Sequence, residues 1–172
     1  MTAPMIEASD FVLRPFRAAD ARPVARLIGD WDVIRMLSTA PYPYGIGDAE
    51  AFIAGAQHRP FCWVIASPAP GHLPMGCVEI GGALGYWLGR PYWGRGIMTR
   101  AAGLAVADHF TRTGAAEIVS GHFHDNPASR RVLMKLGFIE TGRSVTHALS
   151  RGGTLDRADL VLSRQDWERR AA

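Results

Sequence analysis

The sequence predicts an α/β fold: a single mixed, mostly antiparallel sheet with helices on both faces. Three observations lead there. Short stretches rich in β-branched and aromatic residues are set apart by longer helical ones. Three of these strands follow one another with only short turns between them, which makes them antiparallel neighbours. Finally, the stretch from Leu84 to Met98 passes from strand to helix through a glycine turn.

Taken in order, Asp10–Phe16 reads as the first strand. Asp20 is placed to cap a helix running to Ile28, with Pro23 in the first turn, where its missing N–H costs nothing. Trp31–Leu37 reads as a second short helical piece. Ser38–Gly47, rich in Pro, Tyr and Gly, is a loop. Asp48 is placed to cap a helix with Phe52, Ile53 and Ala56 on one face. Phe61–Ser67 and Leu73–Ile80 are strands joined by a Pro/Gly loop, and Gly81-Gly82 turns the chain into the strand Leu84–Gly89. Ile97–Arg112 is an Ala-rich helix. After the strand Ala115–Phe123, Asp125 or Asn126 caps a helix with Pro127 at its first position and Gly137 at its end. Phe138–Leu149 and Thr154–Leu162 form a last hairpin around Gly152-Gly153. No repeat, low-complexity segment or long linker divides the chain, so residues 1–172 are expected to form one domain.

Composition narrows the function classes. The 172 residues are 48% hydrophobic and 20% charged, with a net charge of +3. Such a chain can bury a real core. The charge favours an anionic ligand, but no Lys/Arg run points to nucleic acid, and Lys135 is the only lysine. No segment reads as membrane-spanning or as a signal peptide, so a cytoplasmic protein is expected. Cys62 and Cys77 fall in neighbouring strands, where they would face each other as buried thiols. Two Cys with no His or Asp at a recognised spacing support neither a metal nor a thiol nucleophile.

The glycine turn is the strongest chemical signal. Gly94 and Gly96 flank Arg95, and a helix opens at Ile97. A helix start of this kind presents unpaired N–H groups at the positive end of the helix dipole, a site for phosphate or pyrophosphate. It lacks the lysine of a P-loop. It also fails the dinucleotide fingerprint, because Thr99 stands where a third glycine is required and Glu117 opens a strand rather than ending one.

Around this turn lie Tyr-Trp-Leu-Gly-Arg-Pro-Tyr-Trp-Gly-Arg-Gly at 86–96, Asn126-Pro127-Ala128-Ser129-Arg130, and Lys135-Leu136-Gly137-Phe138. Leu13-Arg14-Pro15-Phe16, Pro41-Tyr42, Asp48-Ala49-Glu50-Ala51-Phe52 and Asp166-Trp167 extend the pattern over nearly the whole chain. The sequence resembles the GNAT superfamily of N-acetyltransferases, within it the branch of ribosomal-protein N-terminal (alanine/serine) acetyltransferases. The resemblance implies a sheet whose fourth and fifth main strands splay apart, with acetyl-CoA as cosubstrate lying in the wedge. It implies that the backbone of Tyr86, Trp87, Leu88 and Gly89 meets the pantetheine arm. Gly94, Arg95, Gly96, Ile97 and Met98 would hold the pyrophosphate, and Asn126 and Ser129 the far end of the arm. Arg130 is either a phosphate contact or a solvated helix residue.

Two positions depart from the family. Pro91 stands where a Gln or Arg is frequent, with little consequence for contacts made by backbone N–H. Leu133 stands where many members carry a Tyr that protonates the leaving thiolate. A thiol with a reference pKa of about 8.5 leaves well enough without it, met by solvent or by a hydroxyl such as that of Ser129. The amine, mostly protonated on arrival, must lose a proton first. Glu79, His122, His124 and Asp125 are the possible bases, with Glu79 and His122 foremost. His122 and His124, two apart, are read onto one strand face, equally consistent with half-buried hydrogen-bonded residues. A metal held by this pair would need a third ligand, which is not evident. The Leu88 N–H would receive the oxyanion. Trp31, Tyr42 and Tyr44 either line an acceptor pocket or pack.

These readings converge on transfer of acetyl from acetyl-CoA directly to a primary amine, a protein N-terminus or a small molecule, by a monomer or homodimer without a metal. A non-catalytic acyl-CoA sensor on the same fold, and a nucleotide-binding module, are the rival readings.

Overall fold

The computed structural model describes residues 2–171. Its strands are β1 (Ile6–Glu7), β2 (Val12–Arg14), β3 (Cys62–Ala66), β4 (Pro74–Ile80), β5 (Leu84–Leu88), β6 (Glu117–Phe123), β7 (Ile139–Ala148) and β8 (Gly153–Ser163). Its helices are α1 (Ala21–Ile28), α2 (Trp31–Ile34), α3 (Ile46–Ala56), α4 (Ile97–Arg112), α5 (Pro127–Leu136) and α6 (Arg164–Ala171). The α/β character and the antiparallel pairing agree with expectation, and every ladder is antiparallel. The ladder breaks once. Five strands pair in the order β1-β2-β3-β4-β5 and three in the order β6-β8-β7, so the layer is two sheets rather than one continuous sheet.

The break lies between β5 and β6, which α4 connects. One hydrogen bond joins them at the closed end, from Ser120 Oγ to the Leu84 carbonyl at 2.8 Å. Beyond it no backbone ladder forms. The splay that the family resemblance implied is therefore present.

Burial follows from this layering. Every residue of β3 is buried, because both faces of the larger sheet are covered. On one face Val78, Ile80, Leu84 and Leu88 pack with Ala101, Ala102 and Ala105 of α4 and Leu133 of α5. The three alanines let α4 approach the sheet closely. On the other face Cys62, Val64, Cys77 and Trp87 pack with Val24 and Ile28 of α1 and with Ala49 and Ile53 of α3. The smaller sheet continues the first face through Ile118, Ala158, Leu160 and Leu162.

Several local expectations change. Asp20 does not cap α1. A 3-10 turn at Ala18–Asp20 precedes that helix, and the Asp20 carboxylate accepts from Arg14 Nη1 at 2.9 Å and Nη2 at 2.8 Å. Both side chains are buried, and Arg17 N–H donates to the same carboxylate at 2.8 Å. A paired Arg–carboxylate fork outweighs a cap, which is worth about 1 kcal/mol. Helix α3 starts two residues before Asp48. Gly45 is its N-cap, and Asp48 reaches back to accept from the Gly45 N–H at 2.8 Å. Cys62 stands opposite Glu79 and Cys77 opposite Val64, so the two thiols meet diagonally rather than face to face. Both are free and buried, and the hydrogen bond with Cys62 together with burial raises the Cys77 thiol well above its ordinary value. Strand β1 and helix α6 lie outside the elements expected. No helix among the described residues is long and apolar enough to cross a membrane.

Candidate active site

The break between the sheets opens into a cleft of about 1470 Å³, lined from α1–α3 on one side to α4 and α5 on the other. Its floor is the free edge of β5. In the β4–β5 register, Gly89 N–H donates to the Met75 carbonyl at 2.8 Å and Gly81 N–H to Ala83 at 3.3 Å. Alternation then turns the backbone groups of Gly85, Trp87 and Gly89 toward β4, and those of Tyr86 and Leu88 toward the gap. The four residues expected along the pantetheine arm thus divide. Tyr86 and Leu88 offer backbone groups, whereas Trp87 and Gly89 hold the strand in place. The Leu88 carbonyl already accepts from Trp93 Nε1 at 2.6 Å, which leaves its N–H as the donor at the mouth.

At the end of β5 the chain makes the turn anticipated from sequence. Gly94 and Gly96 have φ of +75° and +69°, conformations that disfavour any side chain. Around both, the space a Cβ would enter is empty. Gly96 is the N-cap of the 16-residue helix α4. Among the described residues, the first helical N–H with a protein acceptor is that of Arg100, to Gly96 at 3.2 Å. The N–H groups of Arg95, Gly96, Ile97, Met98 and Thr99 remain free. Five free donors at a positive dipole end suit a pyrophosphate.

Helix α5 forms the facing wall. Asn126 caps it, accepting from Ser129 N–H at 3.1 Å, and Gly137 ends it at φ +95°. Ser129 Oγ lies 2.8 Å from the Tyr86 hydroxyl, which also donates to the Ser129 carbonyl at 3.2 Å. Burial pushes the Tyr86 phenol well above its ordinary value, against the opposing effect of the Ser129 hydrogen bond. It therefore stays protonated at neutral pH. Leu133 is fully buried in the core. The tyrosine missing at 133 is evident in the sequence, whereas the hydroxyl that Tyr86 brings to α5 is not. Forty-three residues separate Tyr86 from Ser129, and only the strand alternation hinted at its direction.

The foremost bases sit on opposite faces. Glu79 shares its face with Cys77, toward α1 and α3, and Arg59 Nη1 holds its carboxylate at 2.7 Å. His122 shares its strand face with Ser120 and Ile118, the face packed against α4 and α5. Its Nδ1 lies 2.8 Å from the Phe123 carbonyl, which can only accept. Nδ1 is therefore the donor of that pair, and the buried Nε2 has no hydrogen-bond partner among the described residues. His124 lies past the end of β6 and is exposed, so the two histidines do not share a strand face. Asp125 is committed to Arg151 at 2.7 Å, which holds its carboxyl below the usual range. Among the described residues no three His, Cys, Asp or Glu side chains gather as metal ligands. Of the three aromatics considered for the acceptor, Tyr44 lines the cleft, its phenol raised to about 12 by burial. Trp31 and Tyr42 are exposed and pack edge to face, 4.9 Å between ring centres. Arg130 is exposed and outside the cleft wall.

A family model described as the acetyltransferase (GNAT) domain matches residues 10–139. The chain belongs to the GNAT acetyltransferase family. Its fold is that of solved GNAT structures. A GNAT-family acetyltransferase from Bacillus anthracis is 16% identical, with 94% of this chain and 99% of that one covered and a TM-score of 0.82. A ribosomal-protein-S5-alanine acetyltransferase from Vibrio fischeri is 19% identical, covering 95% and 98%, at 0.78. A spermidine N-acetyltransferase from Vibrio cholerae, in complex with CoA and spermine, is 17% identical, covering 94% and 99%, at 0.74. No curated protein matches the sequence. In this GNAT chain the family match spans the glycine turn, β5, β6 and α5.

Proposed function

We propose that this GNAT protein transfers the acetyl group of acetyl-CoA directly to a primary amine, a protein N-terminus or a small molecule. The observation that carries this reading is the wedge itself. Five free N–H groups open α4 at one end of an unpaired strand edge, and together they match a pyrophosphate followed by an amide-bearing arm. The relatives support the chemistry, since one acetylates a ribosomal protein and another spermidine.

With the coenzyme along the α4–α5 half, the amine enters from the α1–α3 half. There Glu79 takes its proton, directly or through water. His122, whose free Nε2 faces the other half, is the second reading for this base. The amine nitrogen then attacks the thioester carbonyl, and the Leu88 N–H receives the oxyanion. On collapse the C–S bond breaks, the C–N bond stays, and the thiolate takes a proton. The Tyr86–Ser129 hydroxyl pair is a fixed donor set on the coenzyme side. Tyr86 thereby stands in for the tyrosine absent at 133.

Calorimetry on Gly96→Val tests the placement of the pyrophosphate. Acetyl-CoA affinity should fall tenfold or more, about 1.4 kcal/mol, with the circular dichroism spectrum unchanged. Unchanged affinity in a folded variant would remove the basis of this reading. Tighter binding of NAD or ATP than of CoA would favour a nucleotide module. Binding without transfer to any of a broad amine panel would favour an acyl-CoA sensor.

A further inference from the structure

Arg157 is not used by the chemistry above, yet it lines the cleft. It stands opposite Phe123 on β6, on the face away from Ala158 and Leu160, and so on the side from which the amine enters. Its guanidinium lies directly over Gly121. A Cβ at 121 would fall 2.1 Å from Arg157 Nε and 2.5 Å from Nη2. Glycine is required there for the guanidinium to occupy this place. Asp159 Oδ1 steadies Nε at 3.2 Å. Among the described residues Nη1 and Nη2 meet no protein acceptor, so the end of the fork is open to a ligand.

The carboxylates of the cleft are in the contrary condition. Arg90 holds Asp32 at 3.3 Å, Arg59 holds Glu79 at 2.7 Å, and Arg151 holds Asp125 at 2.7 Å. Asp48 is turned to the Gly45 N–H. A polycation would have to displace these partners to be recognised. A planar, anchored guanidinium instead suits bidentate binding of a carboxylate or phosphate.

Resting on the acetyltransferase reading, the geometry points to an acceptor that is a monoamine carrying an anionic group, with Arg157 as the residue that selects it. Wild-type protein and Arg157→Gln and Arg157→Lys variants are assayed by thiol release. The amines are alaninamide, alanylaspartate, phosphoethanolamine and spermidine. In the wild type, kcat/KM for alanylaspartate or phosphoethanolamine should exceed that for alaninamide and spermidine by tenfold or more. The better of the two anionic amines identifies carboxylate or phosphate as the group read. In Arg157→Gln the preference over alaninamide should fall to near unity, and Arg157→Lys should restore only part of it. Spermidine as the best acceptor, or equal losses on all four amines, would overturn the assignment. Calorimetry of the same amines on CoA-loaded protein is the second readout. Absence of turnover with Arg157-dependent binding of the anionic amines would count against the acetyltransferase reading alone. Absence of that binding as well would overturn the anion site.

Discussion

At the scale of single residues, the two bases can be told apart by pH. If Glu79 takes the amine proton, Glu79→Gln should lower kcat about a hundredfold at unchanged acetyl-CoA affinity, and His122→Gln should leave the shape of the rate–pH profile intact. The opposite pattern would move the base to the coenzyme side. The buried Arg14–Asp20 fork makes a second prediction. Asp20→Ala leaves a buried guanidinium without its partner, a loss of about 3–5 kcal/mol, readable in urea denaturation. What was legible at this scale is what local chemistry dictates. Gly94, Gly96 and the Asn126 cap were found because their roles depend on neighbours in sequence. Tyr86 and Arg157 acquire theirs only through the pairing of distant strands. Asp20 looked like a cap because the sequence does not show that Arg14 turns inward toward it.

At the scale of elements, strands and helices with strong periodicity appear where the pattern put them, and the differences have local causes. Helix α6 opens directly after Ser163, whose Oγ accepts from the Asp166 N–H in its first turn at 3.0 Å. That capping signal stands in the sequence just past the expected strand Thr154–Leu162, where no element is expected. The hairpin β7–β8 is tied to α2 by Arg151, which donates to the Arg35 carbonyl at 2.7 Å as well as to Asp125, a link invisible to periodicity. The C-terminal turn of α4 holds His109, its Nδ1 unpartnered and its ring 4.6 Å from Phe61. The helix dipole and Asp108 favour its cation, but burial, with a smaller push from Arg164, prevails and lowers its pKa. The unfolded chain therefore binds this proton first as pH falls below about 6.5, and stability declines with it. Thermal melts at pH 7.5 and pH 5 should show a drop in Tm for the wild type that is smaller in His109→Gln. Equal drops would mean that the pH dependence arises elsewhere.

At the scale of the whole molecule, the order of elements was readable, and with it the layer of sheet and helices. The break in the ladder was legible only through family resemblance. Composition and spacing do not distinguish a crossover that joins two strands from one that holds them apart. The break also means that the free protein keeps an open seat in its own sheet. Among the described residues the Tyr86 and Leu88 amides have no protein partner, and an extended amide-bearing arm can lie along them as an added strand. On this view the cosubstrate is a piece of secondary structure that the gene does not encode, and loading it closes the architecture as well as supplying the acetyl group. Backbone amide exchange followed by NMR should show Tyr86 and Leu88 exchanging fast in the free protein and slowing on addition of CoA, while Trp87 is protected throughout. Protection of Tyr86 and Leu88 before any CoA is added would mean that the seat is already taken.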